Sequence, residues 1–217
     1  MNTPSLESAT ALNGASREAV LLASIGDELR ASADVIRQLA DDPAPVLRAA
    51  IICARALRAG QKLLFCGNGG SAADALHLAA EFVGNYRLPR EGLPAIALSA
   101  NMAVLTAVGN DDCYDRVFAR QIEALGADGD VLVCISTSGK SANIFQAIEA
   151  ARRRRLHVIA CTGRRGTALA AKADVVMQIP SAETARVQEG YMAAGHAMCG
   201  IVERLLCGDL GDVPLPA

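Results

Sequence analysis

Five short apolar runs alternate with longer amphipathic segments along this chain, and the alternation restricts the fold more than any other feature. Each run is apolar on both of the faces that a strand would present; the runs span residues 62–66, 95–99, 131–136, 157–161 and 174–180. Strands that are buried on both faces belong to sheets covered on both sides, as parallel sheets are by their connecting helices. The pattern therefore predicts an α/β domain with a five-stranded parallel sheet.

Segments with helical periodicity precede the first run and follow the last. Residues 16–40 carry apolar side chains at helical spacing, "DDPAP" ends that helix, and Pro45 can begin a second helix over 45–59. A long last helix is predicted from about 183 to 207, because glycines and prolines follow it. The first helix lies outside the alternation and has more apolar positions than one sheet face needs, so we expect it to pack against another chain.

The length and composition fit one domain. Aliphatic residues must build most of the core, because 52% of the 217 residues are hydrophobic but only 3% are aromatic. The sequence has no linker-like or low-complexity segment. We therefore expect a single domain over residues 1–217, with a core over about 20–207 and a loose tail over about 1–15.

Composition also argues against several classes of function. The net charge of −2 gives no general attraction to nucleic acid or to an anionic membrane. No apolar run approaches the roughly 18 residues of a membrane-spanning helix, and the N-terminus lacks the features of a signal peptide. Seven cysteines without a C-x-x-C pair are typical of buried thiols in a reducing compartment. We expect a cytoplasmic protein that binds neither nucleic acid nor membranes.

Three polar loops follow predicted strands directly. They are "GNGGS" (67–71), "STSGKS" (136–141) and "TGRRGT" (162–167). In an open α/β sheet, ligands bind at the carboxyl ends of the strands. These loops are therefore the expected binding region.

Neither of the common nucleotide-binding loops fits. A dinucleotide loop has G-x-G-x-x-G and an acidic residue about 20 positions later, but the sixth position here is Ala72 and the strand 95–99 ends without an acid. A Walker A loop has a glycine five residues before the glycine of "GKS", where this chain has Cys134. The ligand is therefore expected to be something other than a nucleotide.

The "STSGKS" loop suits a single phosphoryl group. It offers the hydroxyls of Ser136, Thr137, Ser138 and Ser141, and the helix that follows adds free N–H groups and its dipole. A serine-rich turn with a helix cap is the structural alternative. Four hydroxyls at a strand–helix junction favour phosphate, with Lys140 near the mouth of the site.

Two of the three histidines lie in segments that could form a site. His77 and Glu81 are four residues apart, so they share one face of a helix that begins at the glycine loop, residues 67–71. Such histidine–glutamate pairs are often structural. His196 lies on the last helix, two turns after Gln188. His157 opens a strand, where we expect a structural role.

Four motifs occur in order along the chain: "GNGGSAADALHLAAE", "VGND", "ISTSGKSAN" and "RVQEGYMAAGH". Together they resemble the sugar-isomerase (SIS) domain family, and within it the phosphoheptose isomerases, over about residues 20–207. The resemblance implies a three-layer α/β/α sandwich with a flavodoxin-like sheet and extra N-terminal helices for oligomerisation. It also implies a homotetramer with active sites between subunits, and one zinc ion per subunit.

The resemblance further implies an aldose–ketose isomerase. Such enzymes interconvert sedoheptulose 7-phosphate and D-glycero-D-manno-heptose 7-phosphate through an enediol, the first step toward ADP-heptose for lipopolysaccharide and other surface polysaccharides. One group must take a proton from carbon, and another must manage the protons of the two oxygens. We assign the first role to Glu81 and the second to His196. A carboxylate cannot be a tight ligand and a free base at once, so zinc would have to leave Glu81 or bind it loosely.

The family's binding positions carry over to this chain residue by residue. Those that match substrate-binding positions are Asn68, Gly69, Gly70, Ser71, Glu81, Asn110, Asp111, Ser136, Thr137, Ser138, Ser141 and Gln188. Those that match zinc-binding positions are His77, Glu81, Gln188 and His196. The chain departs from many members at Lys140, at Ala185 and after "QE", where "GYM" replaces a further histidine.

The zinc-binding set raises a geometric problem. Gln188 and His196 are eight residues apart, or about 12 Å along a straight helix. Either the helix is distorted near Gly190 or Gly195, or one ligand comes from another subunit. We expect a site shared between subunits, and one form of it would take His77 and His196 from different chains.

Two other functions stay open at this point. The same family contains adaptors without enzymatic activity, including a tetramer that binds the bacterial replication initiator. Those adaptors lack a glutamate at the position of Glu81, so the residues present here favour an enzyme. The other alternative is an isomerase of a different sugar phosphate, such as an arabinose or hexosamine phosphate. The sequence distinguishes this alternative from a heptose phosphate isomerase less well.

Overall fold

The computed structural model describes residues 14–208 of the chain. The predicted tail over residues 1–15 lies outside this range except for residues 14 and 15, with which the first helix begins. In chain order the elements are α1 Gly14–Asp41, α2 Ala44–Arg58, β1 Leu63–Gly67, α3 Gly70–Val83, β2 Ala95–Ala97, α4 Met102–Asp111, a 3-10 turn Tyr114–Arg116, α5 Ala119–Leu125, β3 Val131–Ser136, α6 Ala142–Arg153, β4 His157–Gly163, α7 Thr167–Ala170, β5 Val175–Ile179 and α8 Thr184–Cys207.

The five strands form one parallel sheet in the order β2-β1-β3-β4-β5. This is the flavodoxin-like order, in which the chain reverses direction across the sheet between β1 and β3. The loops that leave β1 and β3 therefore diverge and leave a crevice at their carboxyl ends. Both the parallel sheet and its flavodoxin-like topology are confirmed.

The sheet separates two hydrophobic layers because successive side chains of each strand point to opposite faces. Leu63 and Phe65 of β1 pack with residues of α2, α3 and α8 on one face. Leu64 and Cys66 pack with residues of α5, α6 and α7 on the other. All four side chains are fully buried. The three-layer sandwich is thus confirmed, and α8 and α3 lie together on one face.

Two strands, β2 and β4, end two residues away from the predicted limits, whereas the limits of the other strands agree within one residue. β2 stops at Ala97 rather than at residue 99, because the N–H of Ala100 donates to the Ala97 carbonyl and closes a turn. β4 continues to Gly163 rather than to residue 161, because Thr162 is in register with Ser136 at the end of β3. The longer β4 carries its loop against the loop after β3.

The seven cysteines lie within the described residues, and all are free thiols. Five are buried, while Cys113 and Cys207 are exposed. Burial raises the pKa of the Cys134 thiol to about 12, so this group acts as a small apolar side chain. Within residues 14–208, no helix combines the length and the apolar character needed to cross a bilayer.

Candidate active site

The loops after β1 and β3 are tied to each other across the crevice. The Nδ2 of Asn68 donates to Oδ1 of Asn143 at 2.9 Å, and the Nδ2 of Asn143 donates back to Oδ1 of Asn68 at 2.8 Å. Asn143 is buried in the first turn of α6. Local patterns did not indicate Asn143 as a site residue, although it closes the motif "ISTSGKSAN". The reciprocal pair fixes the glycine loop (residues 67–71) relative to the serine loop (residues 136–141).

The hydroxyls of the serine loop differ in whether they bond to the backbone of the loop. Ser136 Oγ accepts from the N–H of Gly139 at 3.1 Å, and Ser138 Oγ accepts from the N–H of Lys140 at 3.3 Å, so both shape the turn. Ser141 precedes α6 without a side-chain capping bond to it. The N–H groups that begin α6 therefore receive no side-chain cap from Ser141, and the start of such a helix is suited to binding an anion.

The loop after β4 supports the serine loop from behind. Gly139 has a φ of +62°, and a Cβ there would lie 2.4 Å from the Cα of Gly166. A Cβ on Gly166 would in turn lie 1.8 Å from Oγ1 of Thr162, which donates to the Ser136 carbonyl at 2.7 Å. Only glycine fits at either position, and the contact between Gly139 and Gly166 fixes the position of the serine loop. The "TGRRGT" loop is thus a support for the neighbouring loop.

The "ND" motif lies at the end of α4. Asn110 Nδ2 donates to Oδ1 of Asp111 at 2.8 Å, and both residues are exposed. In the turn that follows, the hydroxyl of Tyr114 donates to Oδ1 of Asn68 at 3.2 Å. Tyr114, for which the sequence predicted no role in the site, therefore links this segment to the glycine loop.

His77, Glu81 and His196 meet within one chain. The Nε2 atoms of His77 and His196 are 2.8 Å apart, and Oε1 of Glu81 lies 3.2 Å from Nε2 of His77. Glu81 and His196 are half-buried and His77 is exposed. Since α3 supplies the first two residues and α8 the third, the packing of these helices builds the cluster. A shared site in which the two histidines come from different chains is therefore wrong.

Gln188 lies about two turns before His196 on α8, away from the cluster. Its side chain packs over the start of α3, where a Cβ on Gly70 would lie 2.3 Å from its Nε2. Helix α8 is continuous from Thr184 to Cys207, so the distortion considered near its glycines is not found. Instead, Gly190 and Gly195 allow close packing, because Cβ atoms there would lie 2.5 Å from Ile179 and 2.7 Å from Leu78. The structure brings three of the four expected zinc ligands together and leaves Gln188 near the glycine loop.

Known proteins resemble this chain over most of its length. The SIS domain family model matches residues 29–163, more than half of the chain. The chain belongs to the SIS domain family. A phosphoheptose isomerase from Rhodospirillum rubrum is 49% identical, with the match covering 83% of this chain and 98% of the relative.

Solved structures of two further relatives match this SIS domain. Phosphoheptose isomerase GmhA from Neisseria gonorrhoeae is 42% identical with a TM-score of 0.76, and the match covers 87% of this chain and 99% of that one. A phosphoheptose isomerase from Francisella tularensis is 35% identical with a TM-score of 0.81, covering 84% and 98%. The resemblance found in the four motifs is confirmed over most of the chain.

The donor set of this SIS domain fits a zinc ion. The ligand atoms of His77, Glu81 and His196 all lie within 4.8 Å of one another. Ligand atoms of a tetrahedral zinc, each about 2.0–2.1 Å from the ion, are about 3.3 Å apart, close to the separations of 2.8 and 3.2 Å found here. Two histidines and one carboxylate also match the donors of catalytic zinc sites, which keep one position open.

A tyrosine of α8, Tyr191, links α8 to α3. The hydroxyl of Tyr191 lies 2.7 Å from Oγ of Ser71, and both residues are buried. Burial raises the pKa of the neighbouring Asp74 carboxyl, an effect that a hydrogen bond from Tyr191 opposes. The three side chains fix the register of the two helices one turn from His77.

Proposed function

We propose that this SIS domain is an aldose–ketose isomerase that interconverts sedoheptulose 7-phosphate and D-glycero-D-manno-heptose 7-phosphate. The observation that carries the proposal is the His77–Glu81–His196 cluster beside a crevice with a phosphate-type loop. The similarity to proteins named phosphoheptose isomerases over most of the chain supports this choice of substrate.

In this proposal the serine loop holds the phosphate of the sugar. Thr137, Ser138 and Ser141 offer hydroxyl groups, and the first N–H groups of α6 add donors and a positive dipole end. Asn68 and Asn110 would contact the sugar hydroxyls between the two ends of the crevice. Binding energy from the distant phosphate would thereby orient the reacting carbons at the cluster.

Glu81 and His196 would move the protons. From the ketose, the Glu81 carboxylate would take a proton from C1 to give the enediol, and it would return that proton to C2 to give the aldose. His196 would move a proton between the oxygens on C1 and C2. Each group ends the cycle in the state in which it began, so no outside reactant is required.

His77, Glu81 and His196 are the residues that would hold zinc, with Glu81 bound loosely enough to remain a proton acceptor. A bound zinc ion would polarise the sugar carbonyl as a Lewis acid. His77, which is exposed, would then act mainly as a ligand. Gln188, at the level of the glycine loop, would contact the substrate or reach the site of a second subunit.

The proposal includes a homotetramer in which α1 packs against other copies of the chain. Large apolar side chains along this helix are more than half exposed in the single chain; they are Val20, Leu21, Leu22, Ile25 and Leu29. Burying them would gain about 25 cal/mol for each Å² removed from water. We further propose a cytoplasmic enzyme that supplies the first intermediate of ADP-heptose synthesis.

The decisive experiment compares Glu81→Gln with Glu149→Gln, an isosteric change at an exposed, distant carboxylate. We expect Glu81→Gln to keep its fold but to lose at least about a hundredfold in kcat, because it removes the proton acceptor at constant shape. NMR detection of the aldose formed from sedoheptulose 7-phosphate measures both variants. Wild-type turnover by Glu81→Gln would refute the role of Glu81.

The choice of substrate is tested separately with a panel of sugars. Sedoheptulose without phosphate should react far more slowly than its 7-phosphate, because it cannot use the serine loop. Arabinose 5-phosphate and hexosamine phosphates test the alternative substrates. Conversion of one of these with no conversion of the heptulose phosphate would refute the proposed substrate while leaving the reaction type in place.

A further inference from the structure

The segment between α3 and β2, residues 84–94, is held in place by a buried carboxylate of α8. Glu203 accepts hydrogen bonds from the backbone N–H groups of Tyr86 at 2.8 Å, Arg87 at 2.9 Å and Leu88 at 3.1 Å. Three consecutive N–H groups thus converge on one side chain that is 2% exposed. The backbone of this segment is therefore fixed relative to α8.

Arg90 fastens the same segment to the end of α3. Its Nε donates to Oε1 of Glu203 at 3.0 Å, and its Nη atoms donate to the carbonyls of Glu81 at 2.7 Å, Phe82 at 2.8 Å and Gly84 at 3.0 Å. The Arg90 side chain is only 3% exposed. A buried cation at the carboxyl end of a helix also suits the helix dipole. We refer to Arg90 and Glu203 as the loop clamp.

The loop clamp places the ring of Tyr86 on the imidazole of His196. The two ring centroids are 5.5 Å apart and the ring planes differ by 8°. His77 contacts the same imidazole edge-on, with centroids 5.0 Å apart and planes at 75°. The guanidinium of Arg87 lies 4.8 Å from the Tyr86 centroid and donates to its hydroxyl at 3.1 Å. Arg87 thus helps to hold the Tyr86 ring in place.

This contact matters because an imidazole has little orientational preference of its own. The terminal torsion of histidine is broad and roughly two-fold, so neighbouring groups must fix the direction of its nitrogens. For His196, the nearly parallel ring of Tyr86 restricts this rotation and leaves Nε2 directed at His77. In enzymes, a misplacement of about 1 Å at a reacting group can cost about a hundredfold in rate.

We propose that Tyr86 is a positioning residue that orients His196 through ring stacking, and that the loop clamp exists to hold Tyr86 there. The proposal rests on the proposed function, since it assigns His196 its role in moving protons between the sugar oxygens. Tyr86 acts through the imidazole, so its removal affects kcat more than the binding of the sugar phosphate.

Two substitutions separate stacking from mere filling of space. Tyr86→Phe keeps the aromatic face and loses only the hydroxyl, whereas Tyr86→Leu fills part of the volume without a flat ring. We expect Tyr86→Leu to lower kcat about tenfold or more with KM for the sugar phosphate within about twofold of wild type. We expect Tyr86→Phe to stay within about twofold of wild type in both constants.

A spectroscopic measurement tests the contact without using activity. The chain has only three histidines, so protein carrying ¹³C-labelled histidine gives three imidazole signals. His157→Gln and His77→Gln identify two of them, and the third belongs to His196. A ring stacked on His196 shields its protons. At equal zinc content, we expect the His196 signal to move downfield in Tyr86→Leu and to stay in place in Tyr86→Phe.

The outcomes divide clearly. An unchanged His196 signal in Tyr86→Leu, or a kcat equal to that of wild type, would overturn the positioning role. A loss of kcat in Tyr86→Phe as large as in Tyr86→Leu would also overturn it, since the hydroxyl rather than the ring would then matter. If wild-type protein converted no sugar phosphate, the proposed function would fail instead, and the NMR shift would still show the contact.

Discussion

Replacing Glu203 by glutamine should destabilise this protein more than any other single carboxylate-to-amide change that we consider. The carboxylate is 2% exposed, its partner Arg90 is 3% exposed, and three backbone N–H groups also converge on it. Glutamine has nearly the same shape, but it leaves the buried guanidinium without its counter-charge and turns an NH₂ group toward N–H donors.

The size of the effect follows from the burial of this pair. Removing one partner of a buried ion pair costs about 3–5 kcal/mol, because the remaining charge is left uncompensated away from water. For a chain of this length, about 1 kcal/mol corresponds to about 2–4 °C in melting temperature. We therefore expect Glu203→Gln to melt about 6–20 °C below wild type.

Thermal denaturation followed by circular dichroism, at one protein concentration and zinc content, measures this difference. Glu149→Gln is the matched control, because Glu149 pairs with Lys172 at 2.8 Å but both side chains are about half exposed. Exposed pairs contribute little, so the control should melt with wild type within error. Equal shifts for the two variants would refute the reasoning that burial decides the outcome.

Acid should remove the stabilisation that the Glu203 carboxylate gives to the folded state. Burial alone would raise the pKa of Glu203, but the three N–H bonds and the charge of Arg90 outweigh it and hold the pKa below the ordinary value of 4.5. A carboxyl group whose pKa is lowered by folding stabilises the folded state above its unfolded pKa, and this is lost as the pH falls through the folded pKa. The gap in melting temperature between wild type and Glu203→Gln should therefore narrow below pH 4.5. A constant gap down to strongly acidic pH would contradict this assignment.

Three further substitutions test other parts of the structure. Gly166→Ala places a Cβ 1.8 Å from Oγ1 of Thr162 beneath the serine loop; we expect a several-fold higher KM for the sugar phosphate in steady-state kinetics, and an unchanged KM would argue against this support. Gly26→Ala in α1 meets only the end of a flexible arginine side chain; it should raise the free energy of unfolding by about 0.5–1 kcal/mol, measured by denaturant titration, because glycine is unfavourable inside a helix. Tyr191→Phe leaves the buried hydroxyl of Ser71 without its 2.7 Å partner; a loss of about 1–3 kcal/mol is expected from the same titration, and no loss would show that water replaces the bond.

The sequence alone determined the elements and the edge of the sheet at which ligands bind. Apolar periodicity and the glycine that follows it predict a last helix over about 183–207, and α8 spans Thr184–Cys207. The shared face of His77 and Glu81 needs only the helical repeat, and the strand-end position of the three loops needs only parallel connectivity. These features depend on residues close together in the chain, which is why local patterns suffice.

Only the tertiary structure decided which of these residues meet. His196 reaches His77 across 119 residues, and Tyr191 reaches Ser71 across 120 residues, because α8 packs beside α3 at a fixed register. Tyr86 and Glu203 carry no local signal of their roles, since a tyrosine after a helix and a glutamate in "CGIVERLL" are common at solvent-exposed positions. Distant residues could pair in many ways. The positions of the helices against the sheet decide which pairs form, and these positions are fixed only when the whole chain packs. The contacts around His196 therefore depend on the fold as a whole.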